Sequence, residues 1–432
     1  MSVARLLERL EDQTAHVVVV GQGYVGLPVA VRAAEIGFRV TGFDVDRGRI
    51  EALRAGRSYV EDVDAERLAA LPPGRYEATD DPAALQGFDV AVISVPTPLR
   101  DGAPDLSHVE SAASMLASAL TPGALVVLES TTYPGTTEEL LRPILESSGL
   151  RAGVDFALGY SPERIDPGNP TWTFENTPKV VAGIDERSCQ AVAEFYGSLV
   201  EKVVTVNSTA EAELVKLLEN TFRHVNIALV NELAMFAGDL GVDLWRAIDA
   251  ASTKPFGFMR FTPGPGVGGH CLPVDPSYLS WRVLRRSGHP FRFVELANDV
   301  NHHMPEYVVR RVTTLLNQHG LAVNDTRILL LGMAYKAATS DWRESPSIQV
   351  ADRLSALGAR ITACDPRIAA SGRDQLPVSL VDYSPVALSD AELVVVLVDH
   401  PEFRPEEIAR HATLVFDAKG LLRGHSFIGE CL

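Results

Sequence analysis

The N-terminal part of the chain alternates between short β-branched runs and helical patterns, with glycines between them. His16 to Val20 is the first such run; a helical pattern follows, Gly37 ends it, and a second run covers Phe38 to Phe43. This order is typical of strands and helices that alternate along a parallel sheet. Further strands are predicted at Asp89 to Val95, Ala124 to Glu129, Phe156 to Tyr160 and Val180 to Ala182. We therefore expect a doubly wound α/β sheet here.

A long helical pattern occupies the middle of the chain. It begins at a capping box, Ser208 to Glu211, and keeps the 3.6-residue period as far as Phe236. A helix of about 30 residues is roughly 45 Å long, more than one domain core requires. We expect it to join two domains and to carry a subunit interface. Lys216 and Asn220 are spaced i, i+4 on one face, which is either a solvated stripe or a charge-stabilising couple at a cleft.

A second α/β pattern occupies the C-terminal part of the chain. The predicted strands and helix are Arg327 to Leu331, Arg360 to Cys364, Leu393 to Val398 and, for the helix, Ser347 to Leu357. The predicted fold class is therefore α/β, with two Rossmann-like doubly wound domains joined by a long central helix. We expect domain boundaries at 1–206 for the first sheet, 207–318 for the central region and 319–432 for the second sheet.

Composition excludes several classes of protein. The chain has 432 residues and a net charge of −17, which argues against nucleic acid or an anionic membrane surface as a partner. Its four cysteines are far apart and form no C-x-x-C pair, which argues against a zinc site or a disulfide framework and favours a reducing, cytoplasmic location; we expect no metal. We find no signal peptide and no apolar run long enough to span a membrane.

The first strand leads into a dinucleotide-binding fingerprint. The loop from Gly21 to Gly26 reads G-Q-G-Y-V-G, and Asp44 follows the second strand. Strand, G-x-G-x-x-G, helix, strand and acid is the order that binds a dinucleotide, with the pyrophosphate at a helix N-terminus. An acid at this position accepts hydrogen bonds from the ribose and repels a 2′-phosphate, so NAD is favoured over NADP. Arg47 and Arg49 lie close enough to weaken that preference.

Polar loops follow other strands of the first sheet. Pro96 and Thr97 follow one strand, and Thr131 follows the next. Because ligands of open α/β sheets bind beyond the carboxyl ends of the strands, these loops are predicted to line the site. Thr131 is equally well explained as a hydroxyl cap of a helix. Glu163 follows a further strand, and the alternative for it is a surface ion pair with Arg164.

The segment from Pro263 to Leu279 contains four glycines, four prolines and Cys271. Such a composition predicts a shaped loop that can approach a ligand closely, and a thiolate in it suggests nucleophilic chemistry. The alternative is a connector with a buried thiol. Asp275 begins the next helix, where Asp followed by Pro276 is an ordinary helix start. His270 adjoins Cys271, but neighbouring residues rarely point together, and we do not expect it to act as a base.

The first turn of the second sheet contains no G-x-G-x-x-G. It reads Gly332-Met333-Ala334-Tyr335-Lys336, which indicates a sheet adapted to a different ligand. Lys336 and Arg343 are the cations near this edge, and both suit a phosphate or pyrophosphate. Either one is also explained as an ordinary surface charge.

Taken in order, these motifs resemble those of the nucleotide-sugar 6-dehydrogenases, the group of UDP-glucose and UDP-N-acetylhexosamine dehydrogenases. The resemblance rests on V-V-G-Q-G-Y-V-G-L-P, V-P-T-P, E-S-T, S-P-E-R, E-L-V-K-L-L-E-N, G-V-G-G-H-C-L-P-V-D-P and D-W-R-E-S-P. It covers nearly the whole chain. The family oxidises the C6 alcohol of a nucleotide sugar to a carboxylate in two hydride transfers, with two NAD consumed.

The resemblance implies a covalent mechanism. Cys271 would capture the aldehyde as a thiohemiacetal, a second oxidation would give a thioester, and water would hydrolyse it. Lys216 and Asn220 would stabilise the oxyanion. A homodimer or higher homo-oligomer is also implied.

The remaining catalytic roles concern protons. Asp275 and Thr131 would hold the water that relays them, and Glu163 would serve as the base for hydrolysis.

The resemblance also assigns binding residues. The cofactor-binding set is Gly21, Gly23, Tyr24, Val25, Gly26, Asp44, Arg49, Pro96, Thr97 and Thr131. The substrate-binding set is Glu163, Arg164, Lys216, Asn220, Arg260, Gly268, Arg292, Lys336 and Arg343.

The motif G-G-H-C-L-P-V-D-P favours UDP-GlcNAc or UDP-ManNAc as the substrate. Arg260 and Thr262 stand where that branch has Pro and Tyr, which leaves UDP-glucose and dTDP-glucose open. Three other functions compete with this interpretation: a two-electron NAD-dependent dehydrogenase of the β-hydroxyacid type, a non-catalytic NAD-responsive protein, and an NAD-retaining epimerase.

Overall fold

The computed structural model describes residues 3–60, 62–166, 169, 171–269, 272–368 and 375–432. The chain folds into two compact units. The first contains residues 1–219 and 277–289, and the second contains residues 220–276 and 290–432.

The first unit is built on an eight-stranded sheet. Its strands are β1 (His16–Val20), β2 (Arg39–Phe43), β3 (Tyr76–Thr79), β4 (Val90–Ile93), β7 (Leu125–Leu128), β8 (Ala157–Tyr160), β9 (Lys179–Gly183) and β10 (Val203–Thr205), while β5 (Leu99–Arg100) and β6 (Ala103–Pro104) form a separate hairpin. The strand order is β10-β9-β8-β7-β4-β1-β2-β3. The order therefore reverses between β1 and β4, and such a reversal is where doubly wound sheets bind ligands.

The pairing confirms the predicted parallel sheet with one difference. Every neighbouring pair in this sheet is parallel except β8 and β9, where Tyr160 lies opposite Ala182 in antiparallel register. Strand β9 thus begins at the edge where β7 and β8 end. A β-branched run indicates a strand but not its direction, so the sequence did not predict this reversal.

Helices cover the sheet of the first unit. They are α1 (Val3–Glu11), α2 (Gly26–Glu35), α3 (Arg47–Arg54), α4 (Ala65–Ala69), α5 (Ser107–Ala119), α6 (Arg142–Glu146) and α7 (Glu186–Leu199), with a 3₁₀ turn at Pro82–Leu85 and a π-helical turn at Thr137–Leu141. All five residues of β1 are buried. Val17 and Val19 pack in the same cluster as Phe195 of α7. A strand covered on both faces explains why its sequence is continuously apolar.

Helix α8 (Thr209–Ala237) confirms the long helix predicted in the middle of the chain. It contributes residues to both units. Ser208 accepts a hydrogen bond from the Glu211 backbone, as the capping box predicts. In the second unit this helix exposes an apolar stripe of Phe222, Leu229, Leu233 and Phe236.

The second unit contains a six-stranded sheet in which every pair is parallel. Its strands are β11 (Arg327–Leu331), β12 (Arg360–Cys364), β13 (Ser379–Leu380), β14 (Leu393–Val396), β15 (Val415–Asp417) and β16 (Gly429–Cys431). The order is β13-β12-β11-β14-β15-β16. The first strand again lies between the second and the fourth, so this sheet repeats the topology of the first and confirms the predicted pair of doubly wound sheets.

The remaining helices are α9 (Leu244–Ser252), α10 (Asp275–Ser287), α11 (Arg292–Gln318), α12 (Pro346–Ala356), α13 (Pro385–Asp390) and α14 (Pro405–His411). The core of the second unit joins Val308 and Val312 of α11 to Leu330 of β11 and Val350 of α12. Val308 and Val312 are spaced i, i+4, so they lie on one face of α11.

Candidate functional site

The loop after β1 requires glycine for steric reasons. Gly21 has φ +96°, and a Cβ there would lie 2.4 Å from the Ser94 carbonyl oxygen. A Cβ on Gly26 would lie 1.9 Å from the Gly21 carbonyl oxygen. The nearest atom to a Cβ on Gly23 is Nη1 of Arg49, 4.0 Å away. The loop thus has no room for a side chain at Gly21 or Gly26, where the protein packs against it, but it has room at Gly23. This fits a pyrophosphate held against the backbone.

Asp44 lies where the fingerprint predicts it. Its Oδ2 accepts a hydrogen bond from the Gln22 backbone N–H at 2.8 Å, and Nη1 of Arg49 lies 3.3 Å from the same oxygen. The Asp44 side chain is buried, whereas that of Arg49 is 38% exposed. Within the loop from Gly21 to Gly26, Tyr24 is exposed and Val25 is half-buried. These residues fit the adenosine half of NAD, which would hydrogen-bond Asp44 through its ribose.

Two further predicted loops lie together at this edge. The Ser130 hydroxyl donates to the Val95 carbonyl at 2.7 Å, so the loops after β4 and β7 are bonded to each other. The hydroxyl of Tyr278 donates to the Thr97 carbonyl at 2.8 Å. Thr131, half-buried, follows Ser130 directly, and the helical turns begin only later in the chain. Thr131 therefore lies beside the predicted cofactor loops rather than at a helix start.

Lys216 and Glu163 form a buried pair. Nζ of Lys216 lies 3.3 Å from Oε2 of Glu163, and the two residues are 6% and 8% exposed. Arg164 pairs instead with Glu219, at 2.6 Å. The alternatives of a surface pair between Glu163 and Arg164, and of a solvated stripe for Lys216, are therefore wrong. A buried cation beside a carboxylate suits the binding of an anionic oxygen and the acceptance of a proton.

Sequence reasoning missed a second buried ion pair at this edge. Lys179 pairs with Glu129, and the Tyr196 hydroxyl donates to the other carboxylate oxygen at 3.1 Å. Burial raises the pKa of Glu129 and the charge of Glu163 adds to that effect, while Lys179 opposes it. Because β9 runs antiparallel, its first residue lies at the carboxyl ends of β7 and β8. The motif E-S-T was the signal for Glu129; no local signal marked Lys179.

Asn220 and Asp275 are brought together in the second unit. Nδ2 of Asn220 donates to Oδ2 of Asp275 at 2.5 Å, and Asp275 is 3% exposed. Asp275 is the first residue of α10, as the Asp-Pro helix start predicts. Its side chain thus contacts another helix as well as beginning its own. Cys271 and its neighbour His270, also discussed from the sequence, lie outside the described residues.

The glycine loop that precedes Cys271 packs against the ligand edge of the second sheet. A Cβ on Gly268 would lie 2.6 Å from the Glu344 carbonyl oxygen and 2.6 Å from Cδ of Pro346. Gly269 has φ +82°, and a Cβ there would lie 2.8 Å from the Tyr335 ring. The composition of this loop is therefore explained by close packing on the turn after β11.

The two cations predicted at the second sheet edge differ in their surroundings. Arg343 forms a two-pronged pair with Asp341, with Nε to Oδ1 at 2.9 Å and Nη2 to Oδ2 at 2.8 Å. Its side chain is 53% exposed. Lys336 is half-buried, and its Nζ lies 6.0 Å from the centre of the Tyr335 ring. Lys336 and Arg343 both lie in the segment between β11 and α12.

An Asp–His pair lies beneath the same turn. Oδ2 of Asp365 accepts hydrogen bonds from the backbone N–H groups of Met333 and Ala334, at 2.7 and 2.9 Å. Nε2 of His400 lies 3.2 Å from the same oxygen, and neither side chain is exposed. Burial opposes ionisation, but the bonds from His400 and the two backbone groups lower the pKa of Asp365 overall. Neither residue lies in a motif that is recognisable from the sequence.

Two predicted substrate residues, Arg260 and Arg292, are exposed. Arg260 pairs with Asp249 at 2.6 Å, and Asp249 also pairs with Arg423. Arg292 lies at the start of α11.

Two further observations concern the described part of the chain. Nowhere in it do three His, Cys, Asp or Glu side chains group in a way that would hold a metal ion. None of its helices combines the length and apolar character needed to cross a membrane.

Comparison with known families gives one consistent match along the chain. Residues 15–200 match the NAD binding domain of the UDP-glucose/GDP-mannose dehydrogenase family. Residues 210–303 match its central domain, and residues 329–424 match its UDP binding domain. The three segments follow the order of the first sheet, the middle helices and the second sheet.

Individual relatives match this chain over most of their length. The chain is 34% identical to UDP-N-acetyl-D-mannosamine dehydrogenase of Pyrococcus horikoshii, over 90% of each chain. It is 37% identical to UDP-N-acetyl-D-glucosamine 6-dehydrogenase of Pseudomonas aeruginosa, over 82% of this chain and 83% of the relative. The solved structure of UDP-D-ManNAc dehydrogenase from P. horikoshii superposes with a TM-score of 0.86 at 33% identity, covering 96% of this chain and 98% of the other.

Proposed function

Because the chain belongs to the UDP-glucose/GDP-mannose dehydrogenase family, whose NAD-binding domain it contains, we propose that it oxidises the C6 alcohol of a nucleotide-diphosphate sugar to the carboxylate. The reaction removes four electrons and reduces two NAD. The observation that carries the proposal is the buried Lys216–Glu163 pair, at the edge of the sheet that holds the dinucleotide loop. A cation and a base at that edge are what oxidation of an alcohol and hydrolysis of an ester require.

Cys271 is the proposed nucleophile. Its thiolate adds to the C6 aldehyde to form a thiohemiacetal, which is then oxidised to a thioester. Bound NAD supplies the hydride acceptor for both oxidations. Covalent capture retains the aldehyde and produces a carbon that can lose a second hydride. Lys216 and Asn220 stabilise the oxygen that gains charge when the thiolate adds.

The proton-handling roles fall to carboxylates and a hydroxyl. Asp275, held by Asn220 at 2.5 Å, and Thr131 position a water that relays the alcohol proton. Glu163 accepts a proton from the water that attacks the thioester; the C–S bond then breaks and the Cys271 thiolate leaves. The contact between Glu163 and Lys216 supports this role, because it holds the carboxylate in one orientation beside the cation.

The nucleotide part of the substrate is assigned to the second sheet. We propose that Lys336 and Arg343 bind the pyrophosphate and that the backbone at Gly268 contacts the sugar. The packing of Gly268 against Glu344 and Pro346 supports this, because it holds the glycines that precede Cys271 in the sequence at that edge. Arg164, Arg260 and Arg292 are proposed as further contacts to the substrate, the last two across a subunit boundary.

We favour UDP-GlcNAc or UDP-ManNAc over UDP-glucose and dTDP-glucose, because the relatives described above are named for N-acetylated sugars. We further propose domains at 1–206, 207–318 and 319–432. A cytoplasmic location is part of the proposal, based on four cysteines that are far apart in the sequence.

A homodimer is proposed across the stripe of Phe222, Leu229, Leu233 and Phe236, which are 47%, 54%, 47% and 53% exposed. Large apolar side chains repeated along one helix face are typical of a face that a second copy covers.

The test is the number of NADH released per sugar consumed, measured at 340 nm with limiting UDP-GlcNAc, UDP-ManNAc, UDP-glucose or dTDP-glucose. We expect two NADH per sugar with one of the four, and no turnover by Cys271→Ser. Cys189→Ser is the matched control, since Cys189 is a free thiol elsewhere in the first unit. One NADH per sugar together with an active Cys271→Ser variant would instead support the two-electron dehydrogenase, which has no need of the thiol.

A further inference from the structure

Glu213 is a fully buried carboxylate to which no role has been assigned so far. It lies near the start of α8 and has no exposed surface. Its Oε2 accepts the Gly135 backbone N–H at 2.5 Å. Its Oε1 accepts both the backbone N–H and the hydroxyl of Thr137, at 2.8 and 2.7 Å. A single side chain thus bonds α8 to a segment more than seventy residues away in sequence.

The segment that Glu213 holds adjoins proposed catalytic residues. Thr137 begins the π-helical turn that follows the loop of Thr131. Glu213 and Lys216 are spaced i, i+3 on α8, so they lie on neighbouring turns of one face. All of these residues belong to the first unit. The bonds of Glu213 therefore set how the Thr131 loop lies against the turn of α8 that carries Lys216.

The surroundings of Glu213 give its protonation a consequence. Burial raises the pKa of Glu213 to about 7, the charge of Glu138 adds to this, and the bonds from Thr137 and Gly135 oppose it. The ionised carboxylate accepts three hydrogen bonds. When the acid is protonated, one of its oxygens carries a hydrogen. That oxygen then accepts a hydrogen bond from the backbone N–H of the loop less well.

Other charged groups among the described residues also surround this site. Glu138 accepts a hydrogen bond from Thr209 at 3.3 Å, and Glu139 pairs with Arg282 at 2.5 Å. The guanidinium of Arg282 also lies over the Tyr133 ring, 5.0 Å from its centre. Burial raises the pKa of Tyr133, with Glu139 and Glu213 contributing and Arg282 opposing. Tyr133 therefore stays neutral across the range in which Glu213 titrates.

We propose that Glu213 is a positioning residue whose ionised carboxylate holds the Thr131 loop in register with Lys216, and whose protonation loosens that attachment. The inference rests on the proposed roles of Thr131 and Lys216. It predicts that turnover depends on a group that touches neither substrate nor cofactor.

The kinetic test compares Glu213→Gln with the full-length wild-type enzyme between pH 6 and pH 8.5. In the wild type we expect kcat to rise through an ionisation near pH 7. In Glu213→Gln we expect that ionisation to be absent and kcat at pH 8 to fall roughly tenfold, with the KM for the sugar little changed, because a small misplacement of catalytic groups lowers kcat. Glu211→Gln is the matched control: Glu211 is exposed on the same helix and should leave the profile unchanged.

A second variant keeps the test informative if Glu213→Gln folds poorly. Thr137→Val removes only the hydroxyl that stabilises the ionised carboxylate, so the midpoint of the kcat profile should move to higher pH. A merely structural role for Thr137 would lower kcat without moving the midpoint, and that result would overturn the proposal.

Hydrogen exchange separates this inference from the proposed function, since it needs no substrate. After correction for intrinsic rates, the amides of Gly135 and Thr137 should be better protected at pH 8 than at pH 6 in the wild type. They should be poorly protected at both pH values in Glu213→Gln. This pattern in a protein that oxidises none of the four sugars would support the attachment and count against the proposed function. Equal protection in both proteins would overturn the attachment itself.

Discussion

The two sheets each have an aspartate at the same position, but the two aspartates have different surroundings. In each, an aspartate follows the second strand and accepts backbone N–H groups from the turn after the first strand: Asp44 from Gln22, and Asp365 from Met333 and Ala334. The turns are also alike. Gly21 and Gly332 have φ values of +96° and +92°, and each lies against a residue just after the fourth strand of its sheet, Ser94 and Val398 respectively. The topology therefore builds the same acid-and-turn arrangement twice.

The two carboxylates differ in the side chain that lies against each of them. Asp44 is faced by Arg49, at 3.3 Å with a side chain that is 38% exposed, so a ligand hydroxyl can take its place. Asp365 is faced by His400, with both side chains fully buried. One acid is available to a ligand and the other is committed to the fold. A shared position in a shared topology thus does not imply a shared function.

The largest expected effect is on stability, from Asp365→Asn. The change places an amide against two backbone donors and His400, so we expect the free energy of unfolding to fall by about 2–4 kcal/mol, the range for breaking a buried charged network. Urea unfolding followed by tryptophan fluorescence measures it. Asp399→Asn is the control, because Asp399 is exposed and lies 3.8 Å from Lys419. Wild-type stability for Asp365→Asn would remove the contrast between the two acids.

The next effect is on cofactor affinity, from Asp44→Asn. Loss of the charged acceptor for the ribose hydroxyls should weaken NAD binding by roughly 30-fold, or about 2 kcal/mol, as measured by calorimetry. Without NAD, the free energy of unfolding should fall by only about 1 kcal/mol, since the partner of Asp44 is partly solvated.

Asp46→Asn controls for the local helix start. Asp46 caps α3 by accepting the Arg49 backbone N–H and has no predicted contact with the cofactor. It should leave NAD affinity unchanged. A variant at Asp44 that loses stability but keeps its NAD affinity would mean that both acids serve the fold.

How far the sequence predicts this arrangement differs between the sheets. Asp44 was predicted because G-x-G-x-x-G between two strands fixes both the turn and the position of the acid. Asp365 also follows a predicted strand, but its turn lacks that motif, and its partner His400 is distant in the sequence. A buried contact between residues from separate strand ends has no local signal, so the strand was predictable and the pair was not.

The same distinction applies to the proposed active site. Lys216, Asn220 and Glu163 were predicted because each lies in a motif or at a helical spacing. Lys179 was missed because its place at the ligand edge depends on the antiparallel direction of β9, which a strand pattern does not encode. Glu213 stood within a recognised motif, but its partners lie in the turn after Thr131. Helices and strands are local properties, whereas these pairs are decided by topology.

The smallest expected effect, from Arg49→Gln, tests the contrast most directly. Arg49 is partly exposed, so the loss of its pair with Asp44 should change the free energy of unfolding by no more than about 0.5 kcal/mol. NAD affinity should stay within roughly threefold of the wild type, because the ribose hydroxyls replace the guanidinium at the carboxylate. NADP binding should weaken by roughly fivefold, since Arg49 is the cation beside Asp44 that can pair with a 2′-phosphate.

Arg47→Gln is the matched control for this variant. Arg47 is 84% exposed and lies 3.4 Å from Asp80 rather than from Asp44. Calorimetry with both cofactors should detect no change in that variant. If Arg49→Gln instead destabilised the protein as much as Asp365→Asn, Arg49 would be a fixed partner of its acid, as His400 is. The two sheets would then differ in their ligands without differing in how they hold the acid, and the access of a ligand to Asp44 would need another explanation.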